Sequence, residues 1–270
     1  MRIDYNICDI RPFINWVYFD YTWGMNGKHN AERDRLYADA NAMLDRWEGN
    51  YRTHAVFRIV DANSDGDDII ADGIRLPMLR QQKPTKPGQP NLCLADFLRP
   101  ASQGIADKLG LFAATVDHDL ACGYDNDVYG KMLSQVLADR LAEGTAELMH
   151  LQVRRQYWGY APNEQLSMDE IHAEKYQGIR PAVGYPSMPD TSMNFLIDKI
   201  INMASIGIRL TESGMMQPHA STSGLMFEHP QARYFELGKI GEDQLADYAR
   251  RRQLPVATMR RFIQSSLANQ

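Results

Sequence analysis

Cysteine is scarce in these 270 residues: Cys8, Cys93 and Cys122 stand far apart, with no CxxC pairing. An odd count at wide spacing does not make a disulfide framework or a zinc site, so buried, reduced thiols are expected. The seven histidines are scattered, without HExxH, which gives a structural or catalytic zinc little support. No apolar run approaches the roughly 18 residues of a membrane-spanning helix. The opening MRIDYNICDIRPF has acidic residues where a signal peptide would need an uninterrupted apolar stretch. Positive charge is not in excess either: 29 lysines and arginines against 34 acids leave a net charge of −5. That balance argues against nucleic acid and membrane surfaces as partners. GxGxxG and Walker loops are missing, as are tandem repeats and low-complexity tracts, so Rossmann or P-loop nucleotide binding is not indicated. A cytoplasmic protein with one domain over 1–270 is expected.

What is present suits a globular chain, with 44% hydrophobic and 23% charged residues. Helical spacing of apolar residues predicts helices over 31–48 and 127–156, the second with Tyr129, Leu133, Val136, Leu137, Leu141, Leu148 and Leu151 on one stripe. A further helix is expected after Pro189, capped by Asp190 or Thr191, and two more over 242–252 and 255–266. HAVFRIV (54–60), DIIADGIRL (68–76) and GLFAATV (110–116) read as strands. SGLMFEH and ARYFELGKI read as a strand pair turning at His229-Pro230, and 80–91 as a long polar loop. Without regular βαβ alternation this is an α+β pattern.

Several stretches invite chemistry. DANSDGDDIIAD (61–72) fits the first half of a calcium loop, but its twelfth position is Asp72, not glutamate, and its flanks are strand-like. A polar hairpin explains it better. In TVDHDLACG (115–123), His118 directly follows Asp117, which breaks the DxHxxG spacing of cobalt-ligating loops, and a surface turn is expected. Glu143 follows Val136 by two helical turns, near the apolar stripe, where a carboxylate needs a partner or stays at the stripe edge. Gly144 beside it leaves room for something to approach the helix. YQGIRPAVGYPSMPD (176–190) is stiffened by Pro181, Pro186 and Pro189 and excludes a regular helix or central strand. It carries Arg180, a fork for carboxylate or phosphate, and Tyr185, a ring with a hydroxyl; a structural ion pair and a core tyrosine are the plainer alternative.

That same loop closely resembles the RxxxGY segment of the activation domain of cobalamin-dependent methionine synthase. CDIRPF, CLADF, ADRLAEGTAELMH, VRRQYWGYAPNEQLS, LTESGMMQPHASTSG, HPQARYF and DQLADYARRR resemble further segments of that domain in the same order. The resemblance implies a C-shaped α+β domain around a central twisted antiparallel sheet flanked by helices, with a shallow S-adenosylmethionine (AdoMet) site. By matching motifs it gives Asp9, Glu143, Arg180, Ala182, Gly184, Tyr185, Tyr234 and Phe235 ligand-contact positions. Phe235 and His219 stand where the family usually has tyrosine and glycine, and the aromatic segment YFDYTWGM (18–25) has no counterpart in the pattern. The implied function is reductive methylation of cob(II)alamin, which reactivates methionine synthase: a flavodoxin-type donor supplies an electron and AdoMet the methyl group. No side chain need act as acid, base or nucleophile. Cobalamin is expected on a partner domain or subunit, since nothing here resembles a cobalamin, folate or homocysteine module. The chain would then be the activation module of a methyltransferase, excised or free-standing, and would not make methionine alone. A non-catalytic AdoMet-binding or scaffold protein is the alternative reading.

Overall fold

A short strand, β1 (Arg2–Asn6), leads into two short helices, α1 (Ile7–Ile10) and α2 (Trp16–Thr22), and a long one, α3 (Ala31–Trp47). Next come β2 (Arg52–Asp65), β3 (Asp68–Ala71), β4 (Ile74–Pro77), β5 (Asp107–Val116) and the helix α4 (Val128–Gln152). The second half adds α5 (Met168–His172), α6 (Met193–Ile201), β6 (Arg209–Leu210), β7 (Met216–Gln217), β8 (Ser221–Met226), α7 (Glu242–Arg251) and α8 (Val256–Phe262). The computed structural model describes residues 1–84 and 86–268; position 85 of the expected 80–91 loop lies outside them.

The main sheet is antiparallel in the order β4-β3-β2-β5-β8, with β1 also on β2. β2 is 14 residues long and spans two neighbours on one edge: β1 pairs along Arg52–Val56 and β3 along Ala62–Asp65, while β5 follows the other edge. Side chains of a strand alternate between faces, and in β5 Leu109, Leu111 and Ala113 enter one core while Phe112, Ala114 and Val116 enter the other. Both faces are therefore covered, which is why GLFAATV reads as an unbroken apolar run. α3 and α4 cover one face, and α6, α7 and α8 the other.

Local chemistry explains where helices start. Asn15, Asn30 and Asp127 cap α2, α3 and α4 by accepting from the backbone N–H of Val17, Arg33 and Gly130. α6 begins at Met193, and Asp190 accepts from the Ser192 N–H and hydroxyl just before it.

Some expectations need correction. The stretch 68–76 is a hairpin, because Asp72 and Gly73 adopt φ of +50° and +76° and pair Ala71 with Ile74 across a two-residue turn. The segment 232–240 runs without a strand; instead Leu237 N–H donates to Pro186 O and Glu236 O accepts from Gln81 Nε2. The long helix passes at Val153–Tyr157 into a π-helical turn, with Trp158 N–H bonded to Val153 O. On α4, Leu133, Leu137 and Leu141 are buried, but Tyr129 is exposed and Val136, Leu148 and Leu151 are half-buried; Ala138, Ala142, Ala146 and Met149 complete the inner face. Small residues let the helix sit close to the sheet, and so the buried stripe is narrower in volume than leucine spacing implies. Cys93 is buried, whereas Cys8 and Cys122 are exposed. The acids of 61–68 lie on the β2–β3 hairpin and Asp72 in the next turn, and they face arginines and a lysine: Asp65 and Asp68 meet Arg75, Asp67 meets Arg80, Asp72 meets Arg58 and Asp61 meets Lys108.

Candidate functional site

The proline-rich loop lies along β8 like an incomplete extra strand. Val183 N–H donates to Ser223 O and Leu225 N–H to Pro181 O, so Ala182 and Gly224 face each other between those bonds. At such a non-hydrogen-bonded position the residue's own N–H and C=O point away from the partner. Ala182 O accepts from Tyr185 N–H, and the Ala182 N–H is left facing outward, on the side of the cavity that Ala182 lines. Gly178 and Gly224 make this close packing possible: a Cβ on either would stand 2.1 Å from a carbonyl oxygen, of Phe227 and of Pro181 respectively. The N–H of Gly184, by contrast, is spent on Met188 O.

Beside the loop is a cavity of about 690 Å³, within the range of small-molecule sites. One wall is α4, which presents Arg140, Glu143 and Glu147, spaced i, i+3 and i+7 on one helical face. The loop contributes Arg180 to Ala182 and Tyr185 to Ser187, and Tyr234, Glu236 and Glu174 line the cavity with them. Arg180 Nη2 donates to Glu147 Oε2 at 2.8 Å, and the guanidinium lies 5.4 Å from the centre of the Phe112 ring. Burial alone would lower the Arg180 pKa, but Glu147, Tyr176, Tyr234 and Glu143 outweigh it and hold it above its ordinary value. Two buried atoms of this ion pair, Arg180 Nε and Glu147 Oε1, have no hydrogen-bond partner in the protein, nor has Arg140 Nε. Buried polar atoms are rarely left so, and these sit at a cavity wall. Glu174, at φ +56°, has its pKa raised by burial and then by the charge of Glu147.

Tyr185 donates to Glu143 Oε1 at 3.3 Å, and that carboxylate and burial push the tyrosine up to about 12. The Tyr234 hydroxyl accepts from the backbone N–H of Arg180 at 3.0 Å. The fold thus brings Glu143, Arg180, Ala182, Tyr185, Tyr234 and Phe235 to one cavity. Glu143 does not dip into the core: it is half-buried and lines the cavity. Phe235 shows one side to the cavity and is otherwise in the core, its ring centre 6.4 Å from that of Phe97. Gly184 and His219 line a smaller cavity of about 260 Å³ that shares Arg140, Glu143 and Tyr185 with the first. His219 is exposed at its rim, with Nδ1 3.5 Å from Asp139. Asp9 is not among the residues lining either cavity; it is exposed on α1 and accepts from the Asn6 N–H at 3.1 Å. A Cβ on Gly144 would meet Ile10 and Phe13, and Gly144 itself is among the residues lining the larger cavity.

Residues 6–253 match the family described as vitamin B12 dependent methionine synthase, activation domain. The chain belongs to that family. The crystal structure of the MetH reactivation domain bound to AdoHcy is similar to it with a TM-score of 0.94 and 38% identity, covering 100% of this chain and 90% of that one. The curled antiparallel sheet between helices is thus the fold of an activation domain.

Within this activation domain, residues missed by sequence reasoning complete the cavity: Arg140, Glu147, Glu174, Tyr18 and Tyr21. Arg140 and Glu147 carried a usable signal, since both fall on the helical face of Glu143. Glu174 gave none, because its role depends on a left-handed backbone turn. α2 carries Tyr18 and Tyr21 from the unassigned aromatic segment to the cavity, which local pattern does not foretell.

Proposed function

We propose that this activation domain, acting as one unit over 1–270, binds AdoMet in the larger cavity and holds it for reductive methylation of cob(II)alamin on a partner module of methionine synthase. The observation that carries the reading is the unsatisfied pair Arg180 Nε and Glu147 Oε1, flanked by Glu143 and Glu174 in one cavity of a chain from this family. AdoMet is a zwitterion with an added sulfonium charge. The residues fit it: Arg180 and the outward N–H of Ala182 are donors for its carboxylate end, and carboxylates outnumber arginines around the rest.

When bound, AdoMet supplies a methyl group on a positive sulfur for transfer to cobalt reduced by a flavodoxin-type donor. The protein's own part is positional. Glu147 fixes the Arg180 guanidinium, Tyr234 fixes the backbone at Arg180, and the Glu143–Tyr185 pair sets the rim between the two cavities. Glu143 and Glu174 are the negative groups available to the ammonium and sulfonium, with Glu143 nearer the shared rim. No side chain is asked to exchange a proton with the ligand.

Calorimetry with AdoMet and AdoHcy tests the site. Arg180→Lys keeps a cation beside Glu147 but removes the planar fork, and is expected to cost about 1.5–3 kcal/mol of AdoHcy binding; an unchanged affinity would place the ligand carboxylate elsewhere. Adding a cobalamin-carrying module, a reductant and methyl-labelled AdoMet tests the function. Label on cobalt is the expected result. Binding without transfer would leave only a non-catalytic AdoMet-binding protein.

A further inference from the structure

α2 presents two aromatic rings to the larger cavity. Tyr18 and Tyr21, one helical turn apart, both line it, yet they are 58% and 60% exposed. The other side of this short helix is firmly held. Phe19 is fully buried, Arg33 clasps Asp20 with bonds from Nε and Nη2, and Trp16 packs on Tyr37 with ring centres 5.0 Å apart. Burial of Phe19 and Asp20 fixes the helix, so the two exposed rings project from a firmly held support. The Arg140 guanidinium lies 5.7 Å from the centre of the Tyr18 ring, linking α2 to the wall formed by α4.

The cavity is therefore divided by chemistry. The unpartnered Arg180 Nε and Glu147 Oε1, with Glu174, give charged groups suited to an amino acid. The α2 side offers aromatic faces and the side chain of Thr22, suited to a flat, neutral heterocycle. We propose that Tyr18 and Tyr21 form a stacking wall for the adenine ring of the ligand and so select for its nucleoside half. This rests on the AdoMet reading of the cavity. It assigns the purine to α2 and leaves the Arg180 wall to the amino-acid half.

Competition against AdoHcy separates the halves, with 5′-methylthioadenosine as the probe for the nucleoside end and methionine for the amino-acid end. Both rings are more than half exposed, so the double variant Tyr18→Ala/Tyr21→Ala should fold, which a thermal melt checks. It is expected to weaken AdoHcy and methylthioadenosine by roughly five- to a hundredfold, the worth of base–aromatic stacking, and to leave methionine unchanged. Tyr18→Phe/Tyr21→Phe should keep wild-type affinity, because stacking needs the ring and not the hydroxyl. Arg180→Lys should show the reverse, with methionine weakened and methylthioadenosine kept. Upfield shifts of the adenine protons in the NMR spectrum of the wild-type complex should vanish in the alanine pair. Undiminished AdoHcy and methylthioadenosine affinity in the alanine pair overturns the stacking wall alone. Failure of the wild-type protein to bind AdoHcy overturns the AdoMet reading itself, and the wall with it.

Discussion

Arg154 brings a charge into the fully buried interior, and its neighbours make that tolerable. Glu164 accepts from Nε at 2.9 Å and from Nη2 at 2.8 Å, and the Tyr176 ring centre lies 4.0 Å from the guanidinium. His150 Nδ1 faces Nη1 at 2.8 Å, and since arginine only donates, that nitrogen is the acceptor of a neutral imidazole. Burial, then the charges of Arg154 and Arg180, push the His150 pKa well below 6.5. The cluster reaches the site, because the charge of Arg180 acts on His150 and Tyr234 holds the Arg180 backbone. The sign of the pH effect follows. Below pH 6.5 the unfolded chain takes up a proton at this histidine and the folded chain does not, so its stabilising contribution is present above 6.5 and lost as pH falls. Glu174 and Glu228, raised by burial, work in the opposite sense from about 4.5 upward. Comparing wild type with His150→Gln cancels them. Urea titrations should show wild type losing about 1 kcal/mol more than His150→Gln between pH 6.5 and 5.5, and parallel profiles would mean that the folded and unfolded chains take up protons at this imidazole alike.

The loop on β8 is the element on which the site depends. A Cβ at Gly224 would also stand 2.9 Å from Ala182 Cα, so it meets backbone that cannot turn aside. Gly224→Ala should therefore lift the loop, costing about 1–3 kcal/mol of stability, as overpacking does, and weakening AdoHcy binding along with it. Gly207→Ala is the control: at φ +84° with nothing within 4 Å it introduces backbone strain away from the cavity and should lower the melting temperature while leaving affinity intact. Lost stability with unchanged affinity in Gly224→Ala would detach the site from the loop's seat on β8. The docking of this loop was not legible in the sequence, although its stiffness was. Long periodic helices such as α3 and α4, and the two-sided apolar strand β5, announce themselves because burial writes their period into the residues. The β3–β4 hairpin carries its own signal, the Asp72-Gly73 pair of a two-residue turn, set inside a run that otherwise reads as one strand. The segment 232–240 misleads for a related reason. Any extended chain alternates its faces, so buried Phe235 and Leu237 alternate with Tyr234 and Glu236 without a pairing strand.

On the scale of the molecule, the site is a convergence of segments from across the chain, and this decides which of its residues could be foreseen. Arg180, Tyr185 and Glu143 stand out locally, by a constrained loop and by a carboxylate near an apolar stripe. Asp9 entered through the resemblance alone, and the fold sets it outside both cavities. Tyr18, Tyr21 and Glu174 become neighbours of Arg180 only through packing of α2, α4 and the loop. What the convergence produces is a field of one sign: Glu143, Glu147, Glu174 and Glu236 line the larger cavity against Arg140 and Arg180, in a chain of net charge −5. Such a field attracts cations and is screened by salt. AdoMet and AdoHcy differ by one methyl group and one positive charge, which makes them a matched pair for measuring it. Raising the salt from about 0.01 M to about 1 M, where the Debye length shrinks from roughly 30 Å to roughly 3 Å, should weaken AdoMet by a few-fold more than AdoHcy. That difference corresponds to about 1 kcal/mol for one partly exposed charge interaction. Calorimetry at the two salt concentrations reads it directly. Equal salt slopes for the two ligands would mean that the sulfonium is held away from the carboxylates, with Glu143 and Glu174 acting on the ammonium alone.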